Sequence, residues 1–407
     1  MKNNIESLLK NQLLDSDTKS IIFQSEKYLS KNFFPKSIKF REKEFHFLAG
    51  YFRDIFHIKG NKINFFQTVT LIGPVGCGKS TVAKIFGLEI ENYAKLNNSD
   101  FKIIYRHLNC RRHNSIFLLL FDLLKSLIPN FPNRGFSSLE LINMLHVLLN
   151  NSNYYLILTL DEIDYIFNDR ELDLFFQNLS MESLENNFFL KRRISLIFIT
   201  RNKDFLLLID PNNKFGIINN IIKFKKYSNS ELKQILFDKS SESFKEGIFP
   251  LPTLDFVANI AEKIGDLRIT LEILWRAGKI SEMTKSKTIE IQHVKKALKS
   301  SFFVNLPNNF KFDEIEIKIV KCLMAHKSSL LINSAINIKP FKNVLFKEYF
   351  LNINTFEEKE IIFNSKMELF VKYKFIEKAP LTNPEKDKTN QNSYFLKIDP
   401  DVILQIV

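Results

Sequence analysis

Between residues 63 and about 224, short apolar runs rich in β-branched residues alternate with longer stretches in which apolar side chains recur at helical spacing. Residues 68–72, 103–108, 154–160, 195–200 and 221–224 read as strands, and the stretches between them as helices. Strands separated by helices make βαβ units, so the pattern predicts an α/β fold with a parallel sheet. The run 154–160 is apolar except for Thr159, as expected of a strand covered on both faces, and is therefore placed in the interior of the sheet.

After Tyr227 the strand signal stops, and residues 230–244, 253–264 and 268–283 each carry apolar positions at helical spacing. A helical domain follows the sheet. Gly265 lies where a helix end calls for a residue of positive φ, and Asp266 is suited to cap the next helix. Pro307 and the Asn residues around it predict a linker. Beyond it, 313–326 and 341–351 read as helices, and Thr355 with Glu358 forms a capping-box pattern opening a third. Residues 375–378 and 394–398 then read as short strands. Three helices and a β-hairpin are the order of a winged helix. The chain is accordingly divided into 1–226, 227–304 and 305–407.

Composition narrows the class. At 407 residues the chain exceeds one ordinary core. Hydrophobic residues at 45% and charged residues at 25% argue against disordered, fibrous and membrane-embedded chains. The 41 Phe are spread through every segment, and no function is assigned to them. A formal charge of +13 points to an acidic partner such as nucleic acid. Yet residues 301–407 hold 15 Lys against 13 Asp and Glu, so the excess lies upstream and there is no basic tail. Cys77, Cys110 and Cys322 are odd in number and widely spaced, which supports neither a disulfide framework nor a zinc ribbon and suits a reducing cytosol. The first 20 residues lack the continuous apolar core of a signal peptide. The run 116–121, closed by Asp122, is far shorter than the ~20 residues of a membrane span. A soluble, cytoplasmic protein without a membrane partner is expected.

The candidate chemistry lies at two strand ends. Gly73, Pro74, Val75, Gly76, Cys77, Gly78, Lys79 and Ser80 fit the phosphate-loop pattern GxxxxGK[ST], directly after a predicted strand and before a helix beginning at Thr81. Glycines let main-chain amides close around phosphate oxygens, and the positive end of the helix attracts the anion. Lys79 would reach the β- and γ-phosphates of ATP, and Ser80 would ligate Mg²⁺. The second strand end delivers Asp161 and Glu162 where ligands bind in open α/β sheets. Alone, such a pair reads equally as a helix cap. Paired with the loop upstream, Asp161 becomes a metal ligand acting through water and Glu162 the general base. Asn202, just past the run 195–200, is placed to orient the lytic water. Arg201 or Thr200 fills that role if the strand ends one residue earlier, and a plain turn Asn stays open. Arg268, in the first turn of a helix where the dipole disfavours a cation, is a candidate γ-phosphate sensor.

Together these motifs resemble the archaeal origin-recognition and cell-division-control initiator ATPases of the AAA+ group. Leu29, Pro35, Arg41 and Glu42 follow the family's N-terminal pattern, and the resemblance makes Phe33, Phe34, Pro35 and Arg41 candidates around the adenine. Asn109-Cys110-Arg111, Arg134-Gly135-Phe136-Ser137 and Asp210-Pro211 match further family stretches. Phe224, Tyr227 and Leu232 resemble its entry to the lid, with Tyr227 a further nucleotide candidate, and 277–280 and 291–297 resemble its end. The resemblance covers about residues 20–300 and implies an AAA+ core, a helical lid and a C-terminal winged helix. It implies ATP or ADP with Mg²⁺, slow hydrolysis acting as a switch, origin duplex DNA, the MCM replicative helicase and other initiator copies as partners, and a place on the nucleoid. For DNA it points to Arg111 and Arg112, to Asn364, Ser365, Lys366 and Lys372 of the recognition helix, and to Lys386 and Lys388 of the wing. Two departures stand out. After Asp210-Pro211 the family's Arg is missing, with Lys214 the nearby cation, and the wing lacks a Gly-Arg tip. They keep open a diverged regulator or mobile-element helper whose winged helix binds protein.

Overall fold

The computed structural model describes residues 20–30, 33–35, 38–57, 67–97, 102–113, 115–133, 135–166, 175, 193–201, 218–302, 312–332, 335–373, 375–378 and 394–406. Of these, 34–227 pack into one compact unit, and those before 34 and after 227 into another.

The first unit contains α1 (Glu42–Tyr51), β1 (Gln67–Ile72), α2 (Lys79–Leu96), β2 (Lys102–Asn109), α3 (Ile116–Leu127), α4 (Ser138–Asn151), β3 (Tyr154–Asp161), β4 (Ile194–Thr200) and β5 (Ile218–Lys223). The strands form one parallel sheet in the order β2-β3-β4-β1-β5. As its apolar run requires, β3 lies inside the sheet, buried from Tyr155 to Asp161. Its side chains alternate between two cores. Leu156, Leu158 and Leu160 pack with Leu119 and Leu123 of α3 and Leu141 and Leu145 of α4. Tyr155 and Ile157 face the other way, onto Leu48 of α1 and Val82 and Phe86 of α2. Each such aliphatic side chain contributes about 1.5–3 kcal/mol by leaving water. The Ser115 side chain caps α3, and Ser137 with Glu140 forms a capping box on α4, so both helices start where the chain turns back from the sheet. Register aligns the strand tips: Ile72 opposes Thr200, Asp161 opposes Ile199 and Asn109 opposes Asp161.

In the second unit, α5 (Asn229–Ser243), α6 (Leu251–Ile264), α7 (Leu267–Met283) and α8 (Ile291–Phe302) follow the sheet. Gly265 closes α6 at φ 70°, and Asp266 accepts from the Arg268 amide at 3.0 Å to open α7, as the sequence predicts. The N-terminal stretch also packs here. Gln24 and Ser25 donate their amides to the Ser243 carbonyl (2.8 and 3.0 Å), and Phe23 packs on Phe244 at 5.2 Å. The physical reason is burial: Ile22, Phe23 and Leu29 find their apolar cover in this unit.

Further along come α9 (Glu314–Ala325), α10 (Lys327–Leu330), β6 (Leu331–Ile332), β7 (Ala335–Ile336), α11 (Ile338–Val344), α12 (Phe356–Lys372), β8 (Ile376–Lys378), β9 (Tyr394–Leu396) and α13 (Pro400–Ile406). A π-helical turn, Leu345–Tyr349, continues α11. The short strands form an antiparallel sheet in the order β6-β7-β9-β8, and α13 packs against α6, α8 and α9. No helix among the described residues is long and apolar enough to cross a membrane.

Candidate nucleotide site

The loop 73–80 leaves β1 at its C-terminal end, and its glycines answer to particular constraints. A Cβ at Gly73 would collide with the carbonyl of Phe224, whose own amide bonds back to Ile72 O at 2.7 Å. Gly78 turns through φ 96°, and a Cβ there would lie 2.8 Å from the Tyr227 hydroxyl. The loop then enters α2, whose first amides lack intrahelical partners and carry the positive end of the helix dipole. Lys79 is buried and donates from Nζ to the carbonyls of Gly73 (2.7 Å) and Pro74 (2.6 Å). Burial presses its pKa below the ordinary lysine value, with Cys77 and Asp161 opposing the shift. Thr81 is half-buried in the first turn.

Two strands away, the tip of β3 presents both acids. Asp161 is buried, and its Oδ2 lies 3.0 Å from Nε2 of His107 on β2. Burial alone would raise its pKa. The His107 side chain first, then the nearby Ser80 hydroxyl and the Lys84 charge, outweigh that and hold the carboxyl below the usual carboxylate range. Ser80 thus places the phosphate loop close to the strand tip. Glu162 turns the chain off the strand in the left-handed region (φ 55°, ψ 46°), an uncommon conformation for a residue other than glycine. Its Oε2 accepts from Asn109 Nδ2 at 3.3 Å, so β2 supports both acids. Asp164 accepts from the Thr200 hydroxyl and from the Arg201 amide (3.2 Å), tying the end of β4 to the same edge.

Arg41 braces the loop from behind. Its Nε donates to Cys77 O (2.9 Å) and its NH2 to Lys225 O (2.7 Å), and the guanidinium stacks 3.9 Å from the Tyr227 ring centre. Arg41 thus bonds the loop backbone directly, and the Tyr227 hydroxyl lies on the side of Gly78 where a Cβ would point. Phe34 is exposed and Pro35 partly so, while Phe33 packs edge-on against Tyr28 at 4.9 Å. Arg268 is paired at both carboxylate oxygens with Asp266 (3.1 and 2.9 Å). Asn202 lies outside the described residues.

Known proteins resemble this chain. Residues 233–299 match the Cdc6 AAA+ ATPase-type lid domain. An ORC1-type DNA replication protein 2 of Sulfurisphaera tokodaii is 31% identical over 326 residues, spanning 78% of this chain and 76% of the relative. The protein of the same name from Sulfolobus acidocaldarius is 32% identical, spanning 72% and 69%. The chain belongs to the ORC1-type DNA replication proteins. Its fold follows the family: the Aeropyrum pernix ORC1 protein in complex with DNA superposes with a TM-score of 0.61 at 18% identity, over 95% of this chain and 97% of that one. The Aeropyrum pernix ORC2 protein, solved as ADPNP–ADP complexes, superposes at 0.59 with 16% identity over the same shares.

Among the DNA candidates of this ORC1-type chain, Arg111 and Arg112 are exposed just past β2, and the Arg111 guanidinium lies 5.5 Å from the Tyr165 ring centre. Asn364, Ser365 and Lys372 are exposed on α12. Lys366 differs: it bonds Asp313 and Glu316 (3.0 Å to the latter), so its charge is used inside the unit. Lys386 and Lys388 lie outside the described residues. Sequence reasoning missed His107 and Asn109 as supports of the acids. Their signal is their place at the end of β2, Asn109 as its last residue and His107 two residues before it, visible once β2 pairs with β3.

Proposed function

We propose that this chain binds ATP with Mg²⁺ on the loop 73–80, hydrolyses it slowly with Glu162 as general base, and uses the bound nucleotide to control a DNA-binding replication initiator. The observation that carries the reading is the meeting of loop and strand tip, where Ser80 and Lys79 of the loop lie close enough to Asp161 for the charges and dipoles of the two ends to act on one another. The residues fit the absent groups. The buried Lys79 ammonium at the loop suits phosphate, and a hydroxyl beside a carboxylate is the hard oxygen donor set that Mg²⁺ takes. When bound, Mg²⁺ neutralises charge building on the phosphate oxygens.

The chain's own residues supply the rest. Lys79 exchanges its bonds to the Gly73 and Pro74 carbonyls for the β- and γ-phosphate oxygens. Glu162, held by Asn109, accepts a proton from the attacking water, Asn202 orients that water, and Arg268 senses the γ-phosphate. Residues 305–407 serve as a winged helix on origin duplex DNA at the nucleoid, with the MCM helicase recruited there. Relatives named as DNA replication proteins support this destination. The test is footprinting of the full chain on host DNA with ATP, ADP and no nucleotide. Protection that depends on ATP is expected, and no protected site anywhere would sink the proposal.

One observation favours a second reading, in which the C-terminal part binds protein. Helix α12 carries Glu357, Glu358, Glu360 and Glu368 against Lys359, Lys366 and Lys372, with Phe356 and Ile361 exposed at 64% and 68%. An acidic helix with apolar residues outward is poorly suited to phosphates. Affinity capture that recovers proteins foreign to replication, with no DNA retained, would favour that reading.

A further inference from the structure

Beneath the candidate metal ligand runs a line of hydrogen bonds with a single direction. Thr159 Oγ1 donates to the Tyr105 hydroxyl at 3.0 Å. That hydroxyl lies 3.0 Å from Nδ1 of His107, and His107 Nε2 lies 3.0 Å from Asp161 Oδ2. With Tyr105 accepting from Thr159, its own proton goes to Nδ1. With Nδ1 accepting, the ring proton sits on Nε2 and is donated to the Asp161 carboxylate. The line crosses between two paired strands, because His107 opposes Thr159 and Asn109 opposes Asp161.

The surroundings are shaped for it. The Tyr105 ring rests against Gly87 in the middle of α2, where a Cβ would collide with the ring carbons. Its amide donates to Glu91 of the same helix. Burial holds the Tyr105 phenol far above its ordinary pKa, so the hydroxyl keeps the proton it donates. Glycine in a helix interior costs about 1 kcal/mol against alanine. Here that cost makes room for the ring that fixes the imidazole.

We propose that His107 is a positioning residue, which holds the Asp161 carboxylate in a fixed orientation at the end of β3 and thereby sets its affinity for Mg²⁺, with Tyr105 fixing the tautomer. The inference rests on the reading of Asp161 as the metal ligand. A partner that orients a ligating group and raises its basicity typically accounts for about 10- to 100-fold in metal affinity.

The experiment titrates a fluorescent ADP analogue into the full chain with Mg²⁺ or with EDTA, alongside thermal melts. In wild type Mg²⁺ is expected to tighten binding. In His107→Ala, affinity in EDTA is expected to hold, while the gain from Mg²⁺ falls about 10- to 100-fold. His107→Gln, whose amide can donate to Asp161, restores most of the gain. Tyr105→Phe, which removes only the hydroxyl, loses part of it and serves if His107→Ala does not fold. An undiminished gain in the His107→Ala and Tyr105→Phe chains overturns the proposal. So does an equal loss of affinity with and without Mg²⁺, which marks a purely structural histidine. If wild type shows no gain from Mg²⁺, or Asp161→Asn keeps all of it, the reading of the site itself fails.

Discussion

Lys79 and Glu162 stand on different elements and carry separable tasks, which makes them the sharpest pair to perturb. The Lys79 ammonium bonds two loop carbonyls, and its removal takes away both the loop's tie and the charge offered to phosphate. Lys79→Ala is expected to abolish nucleotide binding, measured by equilibrium titration. Glu162→Gln keeps size and shape, and its amide oxygen can still accept from Asn109, so binding should persist. Turnover should drop by about 10²- to 10⁴-fold, the usual weight of a general base. Equal loss of binding in both variants contradicts the division of roles. A third variant probes support of the site. Gly87→Ala gains about 1 kcal/mol of helix propensity on paper. The methyl would strike the Tyr105 ring, and overpacking of a tight core costs about 1–3 kcal/mol, so the melting temperature should fall. A rise would show that the ring moves aside easily.

Among the elements, the N-terminal stretch offers an internal reporter, because Trp275 is the only tryptophan of the chain. Its Nε1 donates to Glu26 at 2.7 Å, and Lys279 holds the other carboxylate oxygen. Burial pushes the Glu26 pKa up, but the bonds from Lys279 and Trp275 outweigh it and leave the carboxyl below its ordinary value. The sign follows. The anchor contributes stability above the ordinary carboxyl pKa, and that contribution is lost as pH falls through the lowered one. The groups are largely exposed, so the energy is small. The emission maximum should shift to the red on acidification and, at neutral pH, in Glu26→Ala; an unmoved maximum in that variant would refute the anchor. The same scale shows what could be read beforehand. Strands β3 and β4 were legible because covering both faces demands unbroken apolar runs, and the phosphate loop because its residues are consecutive. His107 was not, since it meets Asp161 only through pairing of β2 with β3. Strands β6 and β7, two residues each, are too short for alternation to register. The apolar residues Ile22, Phe23 and Leu29 announce burial without naming the surface that buries them.

At the scale of the whole molecule, charge and its distribution govern how the chain meets nucleic acid. The net charge of +13 lies mostly before residue 301, and within the later part Lys366 is bound to Asp313 and Glu316. Salt dependence separates a cation that displaces counterions from one that holds the fold, because each phosphate contact contributes about 0.9 to the slope of log affinity against log salt. Lys366→Ala should therefore leave that slope unchanged on duplex DNA. It should instead destabilise the protein by about 1–3 kcal/mol, because Glu316 is buried and its Oε1 loses the Lys366 ammonium, while Oε2 keeps the Asp313 amide. The Arg111→Ala, Arg112→Ala double variant should do the opposite, lowering the slope by up to about 2 while leaving the melting temperature near wild type, since both side chains are exposed. Measuring slope and melting temperature on the same four proteins (wild type, the two variants and their combination) makes the argument exclusive. A slope that falls with Lys366→Ala moves the phosphate contacts onto α12, and one that ignores Arg111 and Arg112 removes them from the end of β2.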